Sequence, residues 1–206
     1  MKIYIILLSA IVVLSSCKQN SKQANGVETK TVDTLKVDKA TNDIGAAGFN
    51  LDEVAISSQE LGKFPYLSSP KGYQQADGKE KQMEEKYFFY NDSLVRKVSG
   101  QYYHSTVFNK ESKVFEDTYL VNAYKTEIEK LGGVEFYSGG LPASASKLID
   151  KEKPAYVADM YDPTPYKYKQ YLIRKPKENI WIELCYGLNA NQIDLTVIRE
   201  EATNNK

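Results

Sequence analysis

The chain contains one histidine, His104, and two cysteines, Cys17 and Cys185, among its 206 residues. Histidine and cysteine are the side chains that most readily act as bases, nucleophiles and metal ligands near neutral pH. His104 falls in the middle of a strand-like stretch, and the sequence pairs no serine or cysteine with it. A zinc site of the usual kind needs three or four Cys, His or carboxylate ligands. We therefore expect no metal, no cofactor and no catalytic centre.

A further candidate for chemistry is Ser144, which is followed three residues later by Lys147. This Ser-x-x-Lys spacing resembles that of penicillin-recognising enzymes, in which the lysine helps to activate the serine one helical turn away. The same spacing recurs at Ser68 and Lys71, and the companion Ser-Asp-Asn and Lys-Thr-Gly elements are missing. We therefore interpret Ser144 as an ordinary helix residue. Cys185, in a strand-like alternation, is interpreted as a small buried residue.

The cysteine with the most informative context is Cys17. Lys2 provides a short positive region, residues 3–13 form an apolar stretch of secretory length, and the order Leu-Ser-Ser-Cys ends at Cys17. This arrangement resembles the lipobox of bacterial lipoproteins, which is a processed signal rather than a membrane-spanning helix. The resemblance implies that residues 1–16 are removed as a signal peptide. It also implies that Cys17 is lipidated and becomes the new N-terminus.

A lipidated Cys17 makes the membrane a partner of this chain. Each buried acyl methylene contributes about 0.8 kcal/mol, so two or more chains together give stable anchoring. We therefore expect a bacterial cell-envelope protein, anchored to the outer membrane. The 27 basic and 27 acidic residues give a formal net charge of zero, which offers no reason to expect a nucleic-acid partner.

Composition divides the remainder of the chain. Residues 17–50 are polar, with no aromatic side chain before Phe49, which predicts a lipidated disordered tether. Residues 51–201 carry the aromatic and periodic apolar positions of a single domain, and residues 202–206 are predicted to form a frayed tail.

Hydrophobic periodicity within the domain predicts the element order β-β-α-β-α-β-β-β. We expect a helix over residues 113–131, with Val114 and Ile128 on its apolar face, and a short helix from Pro142 through residue 149. A helical turn is expected over residues 57–61, and the polar stretch 74–82 is interpreted as a loop. Strands are predicted at residues 85–90, 94–108, 134–137, 168–174, 180–186 and 192–199. This order is typical of an α+β domain, with both helices on one face of a mainly antiparallel sheet.

Sixteen tyrosines are unusual for this length, and four of them lie close together at Tyr161, Tyr166, Tyr168 and Tyr171. Tyrosine has an apolar body and a polar tip, so this group is a candidate interaction surface for a glycan or a protein partner. The alternative, which we favour, is that these tyrosines are half-buried residues of a sheet.

Three segments, within residues 57–73, 131–139 and 171–181, carry a family resemblance. They include Leu-Gly-x-Phe-Pro-Tyr, Leu-Gly-Gly-Val-x-Phe-Tyr-x-Gly and Tyr-Leu-Ile-Arg. Together they resemble the uncharacterised periplasmic module found N-terminal to OmpA-type peptidoglycan-binding domains. The resemblance spans roughly residues 51–200 and rests on turns and core positions. No residues match the OmpA-type domain itself, so peptidoglycan anchoring is not carried over.

These observations favour a non-enzymatic, lipid-anchored envelope protein whose domain binds another envelope component, either a protein or a glycan. Two alternatives stay open at this point. One is a cell-wall hydrolase or other envelope enzyme with a site that the motifs do not reveal. The other is a lipoprotein that binds a small ligand. A cleft with converging catalytic groups would favour an enzyme, whereas an exposed aromatic patch without them would favour a binding module.

Overall fold

The computed structural model describes residues 50–90, 95–111, 114–153, 167–187 and 191–202. Among these residues the element order is the predicted β-β-α-β-α-β-β-β, after a 3₁₀ turn at Leu51–Glu53. The helices are α1 (Asp117–Lys130) and α2 (Ala143–Glu152). The strands are β1 (Tyr73–Phe89), β2 (Val95–Asn109), β3 (Val134–Gly139), β4 (Lys167–Arg174), β5 (Glu178–Tyr186) and β6 (Gln192–Glu201). The predicted α+β class is confirmed.

The described strands form one antiparallel sheet in the order β1-β2-β6-β5-β4-β3. Strand β5 lies inside this order, and its residues 179–185 are all buried. Successive side chains of a strand point to opposite faces, so a continuous buried run means that both faces of the sheet are covered. Ile180, Ile182 and Leu184 therefore define a first face, and Trp181 and Cys185 a second.

Helix α1 covers the first face. Its buried residues Leu120, Val121, Tyr124 and Ile128 follow the predicted helical spacing and join the same apolar cluster as Ile182. The helix ends as predicted, because Gly132 adopts a φ of +84° that favours glycine.

The start of α1 differs from the prediction. The helix begins at Asp117, and Val114 lies before it with 85% of its surface exposed. The expectation that Val114 belongs to the buried stripe is wrong, because the chain has not yet entered the helix at that point.

The end of β1 and the start of β2, which pair with each other, cover the second face of the sheet. Residues 101–108 of β2 pair with β6, so in a flat sheet β1 would lie three strands away from β5. The ring of Phe88 in β1 nevertheless lies 5.3 Å from that of Trp181 in β5. The two strands must therefore bend across the sheet. The bend coincides with a register shift between Lys81 and Glu84, and with Gly100, where a Cβ would collide with the backbone of β6.

Helix α2 also packs on the second face, whereas the sequence analysis placed both helices on one face. Its residues Ala145, Leu148 and Ile149 join the apolar cluster that contains Tyr168 and Cys185. The cause is the bent β1–β2 pair, which brings further aromatic residues to this side of the sheet and gives α2 an apolar surface to cover.

A buried ion pair fastens the bent strands to the sheet. Lys86 Nζ lies 2.8 Å from Glu183 Oε1, and both side chains are fully buried. Gln170 donates to the other carboxylate oxygen of Glu183 at 2.5 Å, and its own Oε1 accepts from the backbone N–H of Phe89 at 2.6 Å. This network joins β1, β4 and β5, so it specifies where the bent strands lie on the second face.

Two local predictions are wrong. Residues 74–82 belong to β1 rather than to a loop, because this stretch pairs with β2, and residues 77–82 are exposed at the sheet edge. Residues 57–61 form no helical turn. The backbone N–H of Ser57 donates to the backbone carbonyl of Arg174 at 2.8 Å, and its hydroxyl donates to the backbone carbonyl of Leu131 at 2.7 Å, so tertiary bonds hold this residue outside a helix.

Candidate functional site

Three of the predicted site residues, Cys17, Tyr161 and Tyr166, lie outside the residues that the structure describes. Most of the predicted tether, residues 17–49, lies outside them as well. Lipidation of Cys17 and processing after residue 16 therefore stay predictions.

Tyr168 and Tyr171 are buried, so these two residues do not form the interaction surface that was hypothesised for them. Tyr171 faces the α1 side, and burial followed by the charge of Glu135 raises the pKa of its hydroxyl. Tyr168 faces the other side and meets Phe89 edge-on at 5.3 Å. Their positions three residues apart in β4 place them on opposite faces of the sheet, in two different cores. Both are fully buried, rather than half-buried as the favoured alternative expected.

His104 lies in β2 on the second face, with its side chain 16% exposed and its Nε2 3.8 Å from Asp194 Oδ1. Burial, and then the positive charges of Lys86 and Lys79, lower the pKa of His104 to about 4. The imidazole is therefore neutral at neutral pH. A base with this pKa is poorly matched to proton transfer near pH 7.

Cys185 shares the second face with His104, but the two are not adjacent. Cys185 in β5 pairs with Asp194 in β6, and β6 lies between β5 and β2. Neighbouring strands are about 4.8 Å apart, so residues two strands apart are separated by roughly 10 Å, beyond the reach of a nucleophile–base hydrogen bond. Burial and the charge of Glu183 raise the pKa of the Cys185 thiol. The geometry therefore gives Cys185 no activated thiolate.

Ser144 lies in the first turn of α2, and Lys147 is exposed one turn later on the same helix. An exposed lysine is not enclosed with the serine in a site that excludes water, so the spacing of these two residues does not build a catalytic pair. In the part of the chain that is described, no three His, Cys, Asp or Glu side chains are grouped as metal ligands.

An aromatic site that the sequence did not predict lies at the surface, where β1 begins, β2 ends and α1 starts. The ring of Tyr119 stacks on that of Tyr73, with centroids 6.0 Å apart and planes at 29°. Tyr73 is buried, and its hydroxyl accepts the backbone N–H of Glu116 at 3.2 Å. Phe115 meets Tyr73 edge-on at 5.7 Å. The stack is thereby fixed, and Tyr119 is presented with 47% of its surface exposed.

Tyr73, Glu116 and Tyr119 border a cleft of about 300 Å³, which we name the Tyr119 cleft. Apolar surface comes from Tyr119 and from the exposed Val114. It is lined by Lys71, Gly72, Tyr73, Asn109, Glu111, Val114, Glu116 and Tyr119. A concave site with an apolar wall and a few polar groups is the usual form of a small-ligand site.

A second groove, of about 470 Å³, runs between residues 58–66 and the end of β6. Its cations are already engaged within the domain. Lys175 Nζ donates to the carbonyls of Ser57 at 2.9 Å and Gln59 at 2.6 Å. Arg199 lies over the ring of Phe64, 5.8 Å from its centroid, and its Nε is 3.9 Å from Glu178. We consider the Tyr119 cleft the stronger candidate for binding, because it presents a half-exposed aromatic ring that is held in place by a second ring.

One sequence signal pointed to the Tyr119 cleft. The buried stripe of α1 contains Leu120, Tyr124 and Ile128, and Tyr119 lies beside this stripe on the solvent side. A large aromatic residue outside the apolar stripe of a helix has a partner or is exposed. The sequence could not identify Tyr73 as that partner, because the two residues are far apart along the chain.

No protein-family model, curated protein or solved structure is detectably similar to this chain. The resemblance to the module that precedes OmpA-type domains therefore stays a prediction. Among the described residues, no helix has both the length and the hydropathy needed to cross a membrane.

Proposed function

We propose that this chain is a non-enzymatic, lipid-anchored protein of the bacterial cell envelope, attached through Cys17 to the outer membrane. In this proposal its domain binds another envelope component in the Tyr119 cleft. The lipobox pattern supports the location, and the cleft supports the binding role. The resemblance to a periplasmic module is consistent with both.

The observation that carries the binding role is the half-exposed ring of Tyr119. Most large aromatic side chains that pack against a domain are buried. Tyr119 stacks on Tyr73, yet 47% of its surface stays exposed to water. A rigid aromatic ring contributes a large contact area while losing little conformational freedom on binding. Tyr119 is therefore suited to serve as an anchor for a ligand.

Binding is favoured over catalysis by the positions of the reactive side chains. His104 has a pKa of about 4, and Cys185 is buried with a raised pKa. Neither residue lines the Tyr119 cleft or the second groove. The lining of the cleft contains acidic residues, a lysine and an aromatic wall, and such groups can hold a ligand by hydrogen bonds and by stacking.

A second candidate function is the capture of a free small ligand by the lipoprotein. The volume of the Tyr119 cleft, about 300 Å³, favours it. This volume lies at the lower end of the range of roughly 300–1,000 Å³ that is typical of small-molecule sites. The two candidates differ in whether the bound material remains with the envelope after the cells are broken and washed.

The proposal is tested by capture from washed envelopes with the full lipidated chain. We compare the native chain with Tyr119→Ala and with Tyr119→Phe, which keeps the aromatic ring. Met83→Ala, at an exposed apolar residue of β1, is the matched surface control. We expect Tyr119→Ala alone to lose the captured component. Equal capture by Tyr119→Ala and the native chain would contradict the proposal.

A further inference from the structure

We infer that the Tyr119 cleft binds a pyranose ring of an envelope glycan, stacked on Tyr119 and hydrogen-bonded by the carboxylates of the lining. This inference rests on the proposed function and names the chemical class of its ligand. It follows from three properties of the cleft, namely its aromatic wall, the charges of its polar groups and its size.

The aromatic wall suits a flat ligand that has an apolar face. Tyr73 covers one side of the Tyr119 ring, so the exposed area lies on the remaining face and edge. A pyranose has a face made of C–H groups, which can lie flat on such a ring and remove apolar surface from water. Val114 extends this apolar surface at the side of the cleft.

The polar groups suit a ligand rich in hydroxyl donors. Carboxylate oxygens accept hydrogen bonds, and two acidic residues, Glu111 and Glu116, line the cleft. The amide of Asn109 both donates and accepts, and Lys71 donates. A saccharide carries hydroxyl groups around the rim of its ring. Each hydroxyl can donate to a carboxylate or accept from an amide or ammonium group. The aromatic wall and the polar lining therefore match different parts of the same ligand.

The charged residues of the lining do not favour an anionic ligand. Lys71 shares the lining with Glu111 and Glu116, so a positive side chain is accompanied there by acidic ones. Phosphate and carboxylate groups are normally bound by sites with arginine, lysine or helix N-termini that carry no opposing acid. A neutral sugar meets no such repulsion.

The size of the cleft favours a sugar unit over a protein surface. A standard protein–protein interface buries about 800 Å² on each partner. A cleft of about 300 Å³ encloses a much smaller object, of the size of one or two linked rings. The proposed ligand is thus a short stretch of a glycan rather than a folded partner.

The test uses the full lipidated chain in detergent micelles, with three probes. The first is envelope material freed of protein by protease digestion, and the others are tri-N-acetylchitotriose and maltotriose. Captured envelope material is hydrolysed with acid, and its monosaccharides are measured by chromatography. Binding of the two trisaccharides is measured by saturation-transfer NMR. Tyr119→Ala, Tyr119→Phe, Glu111→Gln and the surface control Met83→Ala are compared with the native chain.

We expect capture of sugar-containing material after protease digestion, together with binding of at least one trisaccharide. Loss of the stacking ring in Tyr119→Ala should weaken binding by roughly tenfold, which corresponds to 1.4 kcal/mol. Tyr119→Phe and Met83→Ala should keep it, and Glu111→Gln should weaken it. Circular dichroism of each variant must match that of the native chain, so that a loss of binding is not a loss of folding.

Three outcomes overturn the inference, and the first of them leaves the proposed function standing. If Tyr119-dependent capture is abolished by protease digestion and no trisaccharide binds, the ligand is a protein and only the saccharide assignment fails. If saccharides bind equally well to Tyr119→Ala, the site is misplaced. If no component is captured in a Tyr119-dependent way from untreated envelopes, the proposed function fails as well.

Discussion

Replacing Lys86 by methionine should strongly destabilise the domain. Lys86 Nζ lies 2.8 Å from Glu183 Oε1, and both side chains are fully buried. Methionine fills most of the same volume but leaves the carboxylate of Glu183 buried without its counter-charge. Breaking a buried pair in this way costs about 3–5 kcal/mol. That loss is a large part of the roughly 5–15 kcal/mol that stabilises a typical domain.

Two matched variants separate the charge effect from lost packing. Lys86→Met/Glu183→Gln removes both charges and keeps an acceptor for Gln170, so it should lose much less stability than the single variant. Lys125→Met breaks an exposed pair with Glu129, in which the two charged atoms are 3.6 Å apart. It should cost less than about 1 kcal/mol, because exposed pairs are screened by water and salt.

The assay is urea unfolding followed by tryptophan fluorescence, since Trp181 is the sole tryptophan and is fully buried on the same face. Our reasoning would be refuted if Lys86→Met lost no more stability than Lys125→Met. It would also be refuted if the double variant were as unstable as Lys86→Met, because packing rather than the unpaired charge would then be responsible.

Three further predictions follow from the core and the second face. Ile128→Asp should unfold the domain in a thermal melt, because a charge placed on the buried stripe of α1 has no partner; an unchanged midpoint would mean that α1 is packed differently. The pKa of His104 falls from 6.5 in the unfolded chain to about 4 in the folded protein. Above pH 6.5 it is neutral in both states, and as the pH falls from 6.5 to 4 the unfolded state gains the proton first. Native stability should therefore drop by up to about 3 kcal/mol over this window relative to His104→Gln, and equal pH profiles of the two proteins would contradict this. Cys185 should react with a thiol reagent only after denaturant is added, as read by mass spectrometry, and rapid labelling of the native protein would show that the thiol is accessible.

The sequence predicted the elements whose side chains follow a regular period. The helical spacing of Val121, Tyr124 and Ile128 located α1, and the apolar run 180–186 located β5. Residues 74–82 were missed because an exposed edge strand carries polar side chains on both sides, and only its backbone pairing reveals it. The direction of the bend at Gly100 depends on contacts between strands that are distant in the sequence.

The candidate site was predicted less well than the fold. A cluster of tyrosines in the sequence directed attention to Tyr168 and Tyr171, which strand alternation carries into the core. The exposed tyrosine belongs instead to a pair, Tyr73 and Tyr119, that only the tertiary fold brings together. Val114, which the helical spacing placed on the buried face, lies before the helix and lines the same cleft. Neither local composition nor helical periodicity therefore identified the residues of this site.

The most direct test of the account is chemical-shift mapping of the full lipidated chain in micelles, titrated with solubilised envelope extract. We predict that the perturbed amides and tyrosine rings cluster at residues 71–73, 109–111 and 114–119, and that Tyr119→Ala removes these changes. Shifts that cluster instead at the groove of Phe64 and Arg199, or an absence of any localised shift, would contradict the claim that the Tyr119 cleft is where this protein binds its envelope component.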